Sequence, residues 1–241
     1  MKLAGICRAR NEEHIIGDTL DHVAKFCNAG IYVYDDSSTD STVEICLAHE
    51  AVVDVFRGEP WDPTPKGRQR MEGYGRQVPY DLAVADGADW IYCFDADEFA
   101  EFYLPDQLDG LDAFTLRLFD FYITPYDSKG TWKDRRRMGP EFRDIPMIFR
   151  AQPGRRWGDR VPGCSLTSPA GYVRHYGKAI SVPAWEEACE YYANHRWKGL
   201  HPDLQQRWEG RRGRAIHTRS DFDNPLIWWG DRFDTAKIVR L

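Results

Sequence analysis

Short apolar segments alternate with amphipathic ones over the first hundred residues of this chain. Four apolar runs rich in β-branched and aromatic residues predict buried strands. After the first, apolar residues recur every three or four positions from Ile16 to Cys27, which predicts a helix with Asn11 as its N-cap. A second helix is predicted over 41–48, and a third over 67–86, which Pro79 should start, kink or break. The strand-like runs are 2–8, 31–35, 51–56 and 90–94.

The pattern changes after residue 99, where strand-like runs are separated by frequent glycine and proline. These runs are 111–123, 145–150 and 170–177, followed by helical patterns at 184–197 and 202–212. Alternating strands and helices favour a parallel sheet with right-handed crossovers. We therefore expect an α/β protein with a mostly parallel sheet flanked by helices and an irregular or antiparallel second half. All 241 residues are expected to form one domain, with halves at 1–100 and 101–241.

Polar residues collect where three of the predicted parallel strands end. The segments are Arg8–Glu12, Asp35–Asp40 and Asp95–Glu98. Because the carboxyl ends of parallel strands meet at one edge of a sheet, these loops predict a nucleotide site. No GxGxxG motif follows the first strand, so the dinucleotide-binding fingerprint is absent.

Asp95 and Asp97 form a DxD motif at the end of the fourth apolar run. Two carboxylates 4 Å apart repel each other by about 4 kcal/mol at an effective dielectric constant of about 20. A hard cation reverses that sign, and Mg²⁺ or Mn²⁺ is commonly held by one or two carboxylates plus substrate phosphates. A lone DxD is more often an acidic turn after a strand, so the interpretation depends on the other motifs.

Composition narrows the possible partners and the location of the chain. The net charge of −6 argues against general nucleic-acid binding. No CxxC pair occurs among the six cysteines, which argues against a zinc ribbon. The sequence contains no signal peptide and no apolar run of membrane-spanning length. We expect a cytoplasmic protein with at most peripheral membrane contact.

Three motifs follow one another in the first hundred residues: RNEE at 10–13, YDDSSTDST at 34–42 and DWIYCFDADEF at 89–99. In this order they resemble the inverting family 2 glycosyltransferases of the GT-A fold. The form of the third is similar to a subgroup with Asp-Glu-Phe after the DxD, which includes viral and bacterial members. Ser37 stands where the family commonly has glycine. The resemblance implies metal-dependent transfer of a hexose-type sugar, from a UDP-sugar by preference, to a hydroxyl of a glycan or other acceptor.

The resemblance also implies roles for individual residues. Asp97 would be the principal ligand of Mn²⁺ or Mg²⁺, with Asp95 contributing, and His175 is a candidate to complete the site. Asp36, with Asp35 as the less favoured alternative, would accept a hydrogen bond from a nucleobase N–H, whereas we prefer a helix N-cap role for Asp40. The nucleotide-binding residues would be Arg8, Ala9, Arg10, Glu12, Asp36, Arg70, Arg76 and Asp95.

The catalytic base of inverting relatives is an acid well after the DxD, on the acceptor side. The candidates are Asp159, Glu141 and Asp144. Asp159 is preferred because its glycine-flanked loop can approach a substrate closely and Trp157 beside it could stack on a sugar. Glu141 and Asp144 precede a predicted strand in an arginine-rich stretch, where a structural ion pair explains an acid at least as well as a catalytic role does.

Other classes of function stay open. A non-catalytic module that binds sugar nucleotides or glycans would carry the same motifs. Phosphoryl-transfer enzymes of the haloacid-dehalogenase type also place two aspartates after an apolar strand. They usually have Thr or Val soon afterwards and the motif near the start of the chain, whereas Phe99 follows here. Sugar-1-phosphate nucleotidyltransferases require a glycine-rich loop after the first strand, which is missing.

Overall fold

A computed structural model describes residues 1–104, 110–158, 162–164, 167–232 and 237–238. The chain divides into two compact units. The first comprises Met1–Asp62, Gln69–Leu116 and Asp144–Tyr172, and the second Pro63–Arg68, Arg117–Arg143 and Val173–Leu241. No helix of the described residues is long and apolar enough to cross a membrane.

The first unit is built on a twisted arrangement of strands and crossover helices. Its helices are α1 (Ile16–Val23), α2 (Thr42–Ala48) and α3 (Pro65–Ala85). Its strands are β1 (Leu3–Ala9), β2 (Ile31–Asp35), β3 (Val52–Arg57), β4 (Trp90–Asp95) and β5 (Glu98–Phe102). Three further strands have residues in both units, β6 (Ala113–Asp120), β8 (Glu141–Arg150) and β9 (Thr167–His175), and β7 (Arg137–Met138) lies in the second unit. The sheet has the order β3-β2-β1-β4-β8-β6-β9-β5.

The four strands predicted in the first hundred residues all form and pair in parallel, β3 with β2, β2 with β1 and β1 with β4. β8 then joins β4 in the antiparallel direction. The predicted α/β class, with a Rossmann-like parallel half and an antiparallel continuation, is therefore confirmed. β1, β2 and β4 are almost continuously apolar because both of their faces are covered, whereas β3, at the end of the strand order, is largely exposed.

A core cluster of the first unit lies between the sheet and α3. Apart from two isoleucines its residues are small or aromatic, and the small ones let the helix approach the sheet closely. The members of the cluster are Ala4, Ile6, Tyr32, Tyr80, Ala83, Ile91, Cys93, Ala113, Phe149 and Trp157.

The second unit contains α4 (Val182–Tyr191), α5 (Pro202–Glu209) and two short strand pairs. β10 (Ile227–Trp228) pairs with β7, and β11 (Lys237–Ile238) pairs with Glu141–Phe142 of β8. Trp185, Cys189 and Ala215 form a buried cluster here, with Trp208 packed against it.

The structure corrects several predicted boundaries. Asn11 is not the N-cap of α1, which begins five residues later. Instead Asn11 has a φ of 54° and its side-chain oxygen accepts from the Thr39 amide. α3 continues through Pro79, and α4 ends at Tyr191 in a π-helical turn, Tyr192–Arg196. The strand β5 was not predicted.

Glu141 and Asp144 were expected to precede a strand, but both lie within β8. The prediction started the strand at the first uninterrupted apolar residues. The residues before them nevertheless continue the strand, with Phe142 buried, Glu141 and Arg143 half-buried and Asp144 exposed.

β5 and β9 approach each other most closely at Gly171. A Cβ atom there would lie 2.7 Å from the Cα atom of Phe102 and would overlap the carbonyl oxygen of Glu101. We predict that Gly171→Ala lowers the free energy of unfolding by about 2 kcal/mol or more, because backbone must move to relieve the clash. Denaturant unfolding would measure it. Gly158→Ala is the control, since no described atom lies within 4 Å of its added Cβ. Equal stability of the two variants would contradict this view of the strand contact.

Candidate functional site

The carboxyl ends of β1, β2 and β4 lie side by side. In the parallel registers Arg8 pairs with Tyr34 on one side and with Asp95 on the other. The first and third sequence motifs therefore meet at one sheet edge, and the second motif follows directly from β2. This edge is where α/β sheets bind ligands.

Five charged side chains of alternating sign run across this edge. Arg8 donates to the Asp36 carboxylate at 2.7 Å and to Glu72 at 3.2 Å. Arg76 donates to the other oxygen of Glu72 at 2.9 Å and to Asp95 at 2.7 Å. We call the series Asp36–Arg8–Glu72–Arg76–Asp95 the charge relay. It links the second and third motifs through α3.

The charge relay is largely withdrawn from solvent. Asp36 is 1% exposed and Arg76 is 3% exposed. Burial alone would lower the pKa of the Arg76 guanidinium, but the carboxylates of Asp95 and Glu72 outweigh it and raise that pKa well above its ordinary value. Each buried charge is compensated by an opposite one, as low-dielectric sites require.

Asp35 has a structural role in the second motif, because its carboxylate binds the backbone of the same loop. Both oxygens of this buried carboxylate accept from the Ser38 amide, at 3.1 and 3.3 Å. Ser37, just before Ser38, has a φ of 60°. Glycine adopts this left-handed conformation most easily, which explains why it is common at this position in the family that the motifs resemble. The Ser37 hydroxyl donates to the carbonyl of Glu59 at 2.6 Å. The N-cap role preferred for Asp40 is wrong by one residue, since Ser41 is the N-cap of α2 and makes no side-chain cap bond. Asp40 precedes it, and its carboxylate accepts from the Thr42 amide at 3.0 Å.

Arg10 lies across the backbone of the second motif. One of its nitrogens donates to the carbonyls of Asp36 and Ser37, both at 2.6 Å, and its guanidinium carbon lies 3.4 Å from the ring centroid of Trp61. Ala9 accepts from the Asp36 amide through its carbonyl, and the Glu12 amide donates to the Thr42 hydroxyl. Trp61 was not predicted from the sequence.

The turn after β4 is held by residues that are not expected ligands. Glu98, fully buried, accepts from the Asp95 amide at 2.9 Å. The Thr19 hydroxyl donates to the carbonyl of Ala96. The third acid of the motif is thus a structural acceptor, and Asp95 and half-buried Asp97 are the acids left to serve a ligand.

A divalent metal fits this turn only as part of a larger complex. Among the residues that the structure describes, no group of three or more His, Cys, Asp or Glu side chains is placed to hold a metal ion. Asp95 and Asp97 supply hard oxygen donors, and Asp95 already shares one oxygen with Arg76. Such a set suits Mg²⁺ or Mn²⁺ that takes its remaining ligands from phosphates and water.

The two arginines predicted from α3 differ. Arg76 lies in the charge relay, whereas Arg70 is 63% exposed and lies 3.6 Å from exposed Glu59. The structure therefore brings Arg76, but not Arg70, together with the other predicted donor-site residues.

His175 lies in a separate ion cluster of the second unit. Its Nδ1 is 2.6 Å from Oδ1 of Asp120. The same oxygen accepts from Arg143 at 2.8 Å, and Oδ2 of Asp120 accepts from Lys178 at 2.7 Å. Burial would raise the pKa of Asp120, but Lys178, Arg143 and His175 hold it well below the ordinary value. Lys178 also contacts Asp221 at 2.6 Å. Asp120 was missed, although it ends an apolar run as Asp95 does.

The three candidate bases are placed differently. Glu141 accepts from the side chains of Ser220, at 3.0 Å, and Asn224, which indicates a structural tie within the second unit. Asp144 is exposed on β8 in the first unit. Asp159 lies outside the residues that the structure describes.

Comparisons with known proteins find relatives that match part of this chain. The uncharacterized proteins Rv3786c of Mycobacterium tuberculosis and Mb3815c of Mycobacterium bovis are each 38% identical over 101 residues. The alignment covers 42% of this chain and 24% of each relative, so the match spans about a quarter of their length.

Two solved structures share a weaker likeness with this chain. Staphylococcus aureus TarS 1–349 in complex with UDP is 16% identical, with 88% of this chain and 71% of that chain covered, at a TM-score of 0.43. Mycobacterium tuberculosis glucosyl-3-phosphoglycerate synthase, in complex with Mn²⁺, UDP and its product, is 18% identical, with 54% and 47% covered, at 0.30. These TM-scores are too low to bear on the function of this chain.

A family model gives the decisive match. The model described as glycosyl transferase family 2 matches residues 6–172, which include the RNEE, DDSSTD and DxD motifs and the whole charge relay. Because the match covers well over half of the 241 residues, the chain belongs to glycosyl transferase family 2.

Proposed function

We propose that this glycosyltransferase moves a hexose from a UDP-sugar to a hydroxyl of a glycan or other acceptor, with inversion and with a divalent metal. The observation that carries the proposal is the charge relay. It holds a base-reading carboxylate, Asp36, and a metal-side carboxylate, Asp95, at one sheet edge. The finer subgroup with Asp-Glu-Phe after the DxD also stays a prediction, as does a cytoplasmic location.

The base end of the proposed site is Asp36 with its neighbours. Arg8 and burial keep Asp36 oriented, and its carboxylate suits a ring N–H such as that of uracil. Arg10, fixed by two carbonyls and stacked on Trp61, offers a planar cation beside it. Ala9 and Glu12 would line the base and ribose, and Arg70 is the least supported member because of its exposure.

The diphosphate end of the proposed site is the turn of Asp95 and Asp97. When bound, a divalent cation supplies Lewis-acid stabilisation of the leaving diphosphate. Asp97 is proposed as its principal protein ligand and Asp95 as a second or as a ribose contact. Arg76, kept charged beside Asp95, adds fixed positive charge to this end.

The acceptor hydroxyl must lose a proton as it attacks the anomeric carbon. A positioned carboxylate typically contributes about 10²–10⁴-fold to such a step. Asp159 is proposed for this role. Glu141 is less suited because Ser220 and Asn224 already occupy its carboxylate, and exposed Asp144 is the remaining candidate.

Donor and metal use can be tested together. A thermal-shift panel of UDP-, GDP- and dTDP-sugars, with and without Mn²⁺, should show stabilisation by a UDP-sugar with Mn²⁺ of about 2.7 kcal/mol at 100 times its Kd. We predict that Asp97→Asn slows nucleoside diphosphate release by about 100-fold or more. The cation then loses its principal protein ligand, and the diphosphate faces the Asp95 carboxylate without a compensating positive charge. The unliganded melting temperature of this variant should stay near that of the wild type.

The matched control is Asp54→Asn, which changes an exposed acid on β3 and should leave release unchanged. Wild-type rates in Asp97→Asn, or in excess EDTA, would overturn the metal role. Binding of a UDP-sugar without any release of UDP would instead favour a non-catalytic binding module.

The base assignment gives a second prediction. Asp159→Asn should lower by about 100-fold the kcat for sugar transfer to water or to an added acceptor, measured as UDP release. The Kd for the UDP-sugar should stay near that of the wild type. Glu141→Gln should lower the melting temperature because it weakens the contacts to Ser220 and Asn224. Normal turnover of Asp159→Asn would remove that residue from the mechanism and make Asp144→Asn the next variant to measure.

A further inference from the structure

Tyr34 carries a buried hydroxyl with no hydrogen-bond partner among the described residues. Its side chain is 0% exposed, at the centre of β2. Tyr32, two residues earlier on the same face, instead donates to Asp86 at 2.7 Å. Buried tyrosine hydroxyls nearly always find a partner, and an exception points to a group absent from the structure.

The hydroxyl lies on the same side of the sheet as Asp36. Residues two apart in extended backbone point to one face, and the Asp36 amide continues the pairing of β2 with β1 through the carbonyl of Ala9 at 2.9 Å. A Cβ atom on Gly58 would lie 2.6 Å from the hydroxyl, and one on Gly75 would lie 3.1 Å from the ring. Two glycines thus leave the space that the phenol occupies.

The hydroxyl is a donor at physiological pH. Burial, with contributions from Asp36, Tyr74 and Glu59, raises the pKa of Tyr34 to about 12, so the proton stays on the oxygen. Tyr74 packs edge-on against the Tyr34 ring, with centroids 6.0 Å apart, and is itself 48% exposed.

We infer that Tyr34 and Asp36 together read the nucleobase of the donor: Asp36 accepts from a ring N–H and Tyr34 donates to the adjacent carbonyl. This inference rests on the proposed function, in which Asp36 contacts the base. Adjacent C=O and N–H groups occur on uracil, thymine and guanine. Cytosine and adenine present the opposite pattern, an amino donor beside a ring acceptor. In the same orientation the unprotonated ring nitrogen would face the Asp36 carboxylate, and the Tyr34 hydroxyl would face a donor in place of an acceptor. Tyr34 is therefore a specificity-determining residue.

Tyr34→Phe separates this role from a structural one. Because the hydroxyl has no partner in the unliganded protein, removing it should leave the melting temperature unchanged or raise it. Calorimetry with Mn²⁺ should show UDP affinity about tenfold weaker, whereas the weaker affinity for CDP should change by less than twofold. The wild type should prefer UDP to CDP.

Two further variants frame the result. Tyr32→Phe loses the bond to Asp86, so its melting temperature should fall while its UDP affinity stays within twofold of the wild type. Asp36→Asn should weaken UDP binding and serves as the positive control for the base pocket.

The outcomes distinguish the inference from the proposed function. A wild-type protein that binds neither UDP, GDP nor UDP-sugars would overturn the proposed function itself. A wild type that binds UDP, with Tyr34→Phe binding it equally well, would overturn the role of Tyr34 alone. Equal wild-type affinity for UDP and CDP, or an Asp36→Asn variant that binds UDP normally, would also overturn the paired recognition of the base.

Discussion

The carboxyl ends of β1, β2 and β4 form the edge of the proposed sugar-donor site, here called the donor edge. Its arrangement depends on the carboxylate of Glu72, which is shared between two arginines. Without it, Arg8 and Arg76 would each retain one acidic partner and would repel each other in a poorly solvated space. With it, three loops from separate strands and one helix share a single set of charges. Removing one member of such a buried set leaves an uncompensated charge, which is more costly than never having had the pair.

The same solution recurs in the second unit. Asp120 and Asp221 are both held by Lys178, and Arg143 and Arg211 complete their surroundings. Burial and attraction act in opposite directions on the pKa of Asp120, and attraction prevails. Both units therefore position candidate functional groups by charge compensation rather than by apolar packing. Because the surrounding dielectric is low, that positioning resists screening by salt.

The sequence predicted the parts of the fold that depend on local pattern. The first four strands, the sheet edge and the three motifs follow from apolar periodicity and from acids at strand ends. β5 was missed because it follows the DxD turn directly, and the α1 cap was misassigned because Asn11 serves the neighbouring loop instead. Such choices are made by tertiary contacts that periodicity does not contain.

Side-chain partners were the least predictable feature of the site. Glu72 could have been found, since it stands four residues before Arg76 on a predicted helix, a spacing that favours ion pairs. Trp61 and Tyr34 carried no such signal, because their roles depend on contacts with Arg10 and on two distant glycines. Glu98, the third acid of this turn, is a buried acceptor for the Asp95 amide, a role that the sequence did not indicate.

The composition of α3 has a consequence for how the donor edge becomes ordered. Glu72 and Arg76 lie on a helix that also contains Gly67, Gly73, Gly75 and Pro79, residues that disfavour helix formation by about 1 kcal/mol for each glycine and more for proline. Gly73 approaches the backbone of Trp157 and Gly75 approaches Arg8, so the helix is built for proximity at the expense of intrinsic stability. A segment of this kind gains its helical structure mainly from docking. Ordering of the helix and assembly of the charges at the sheet edge are then a single cooperative event.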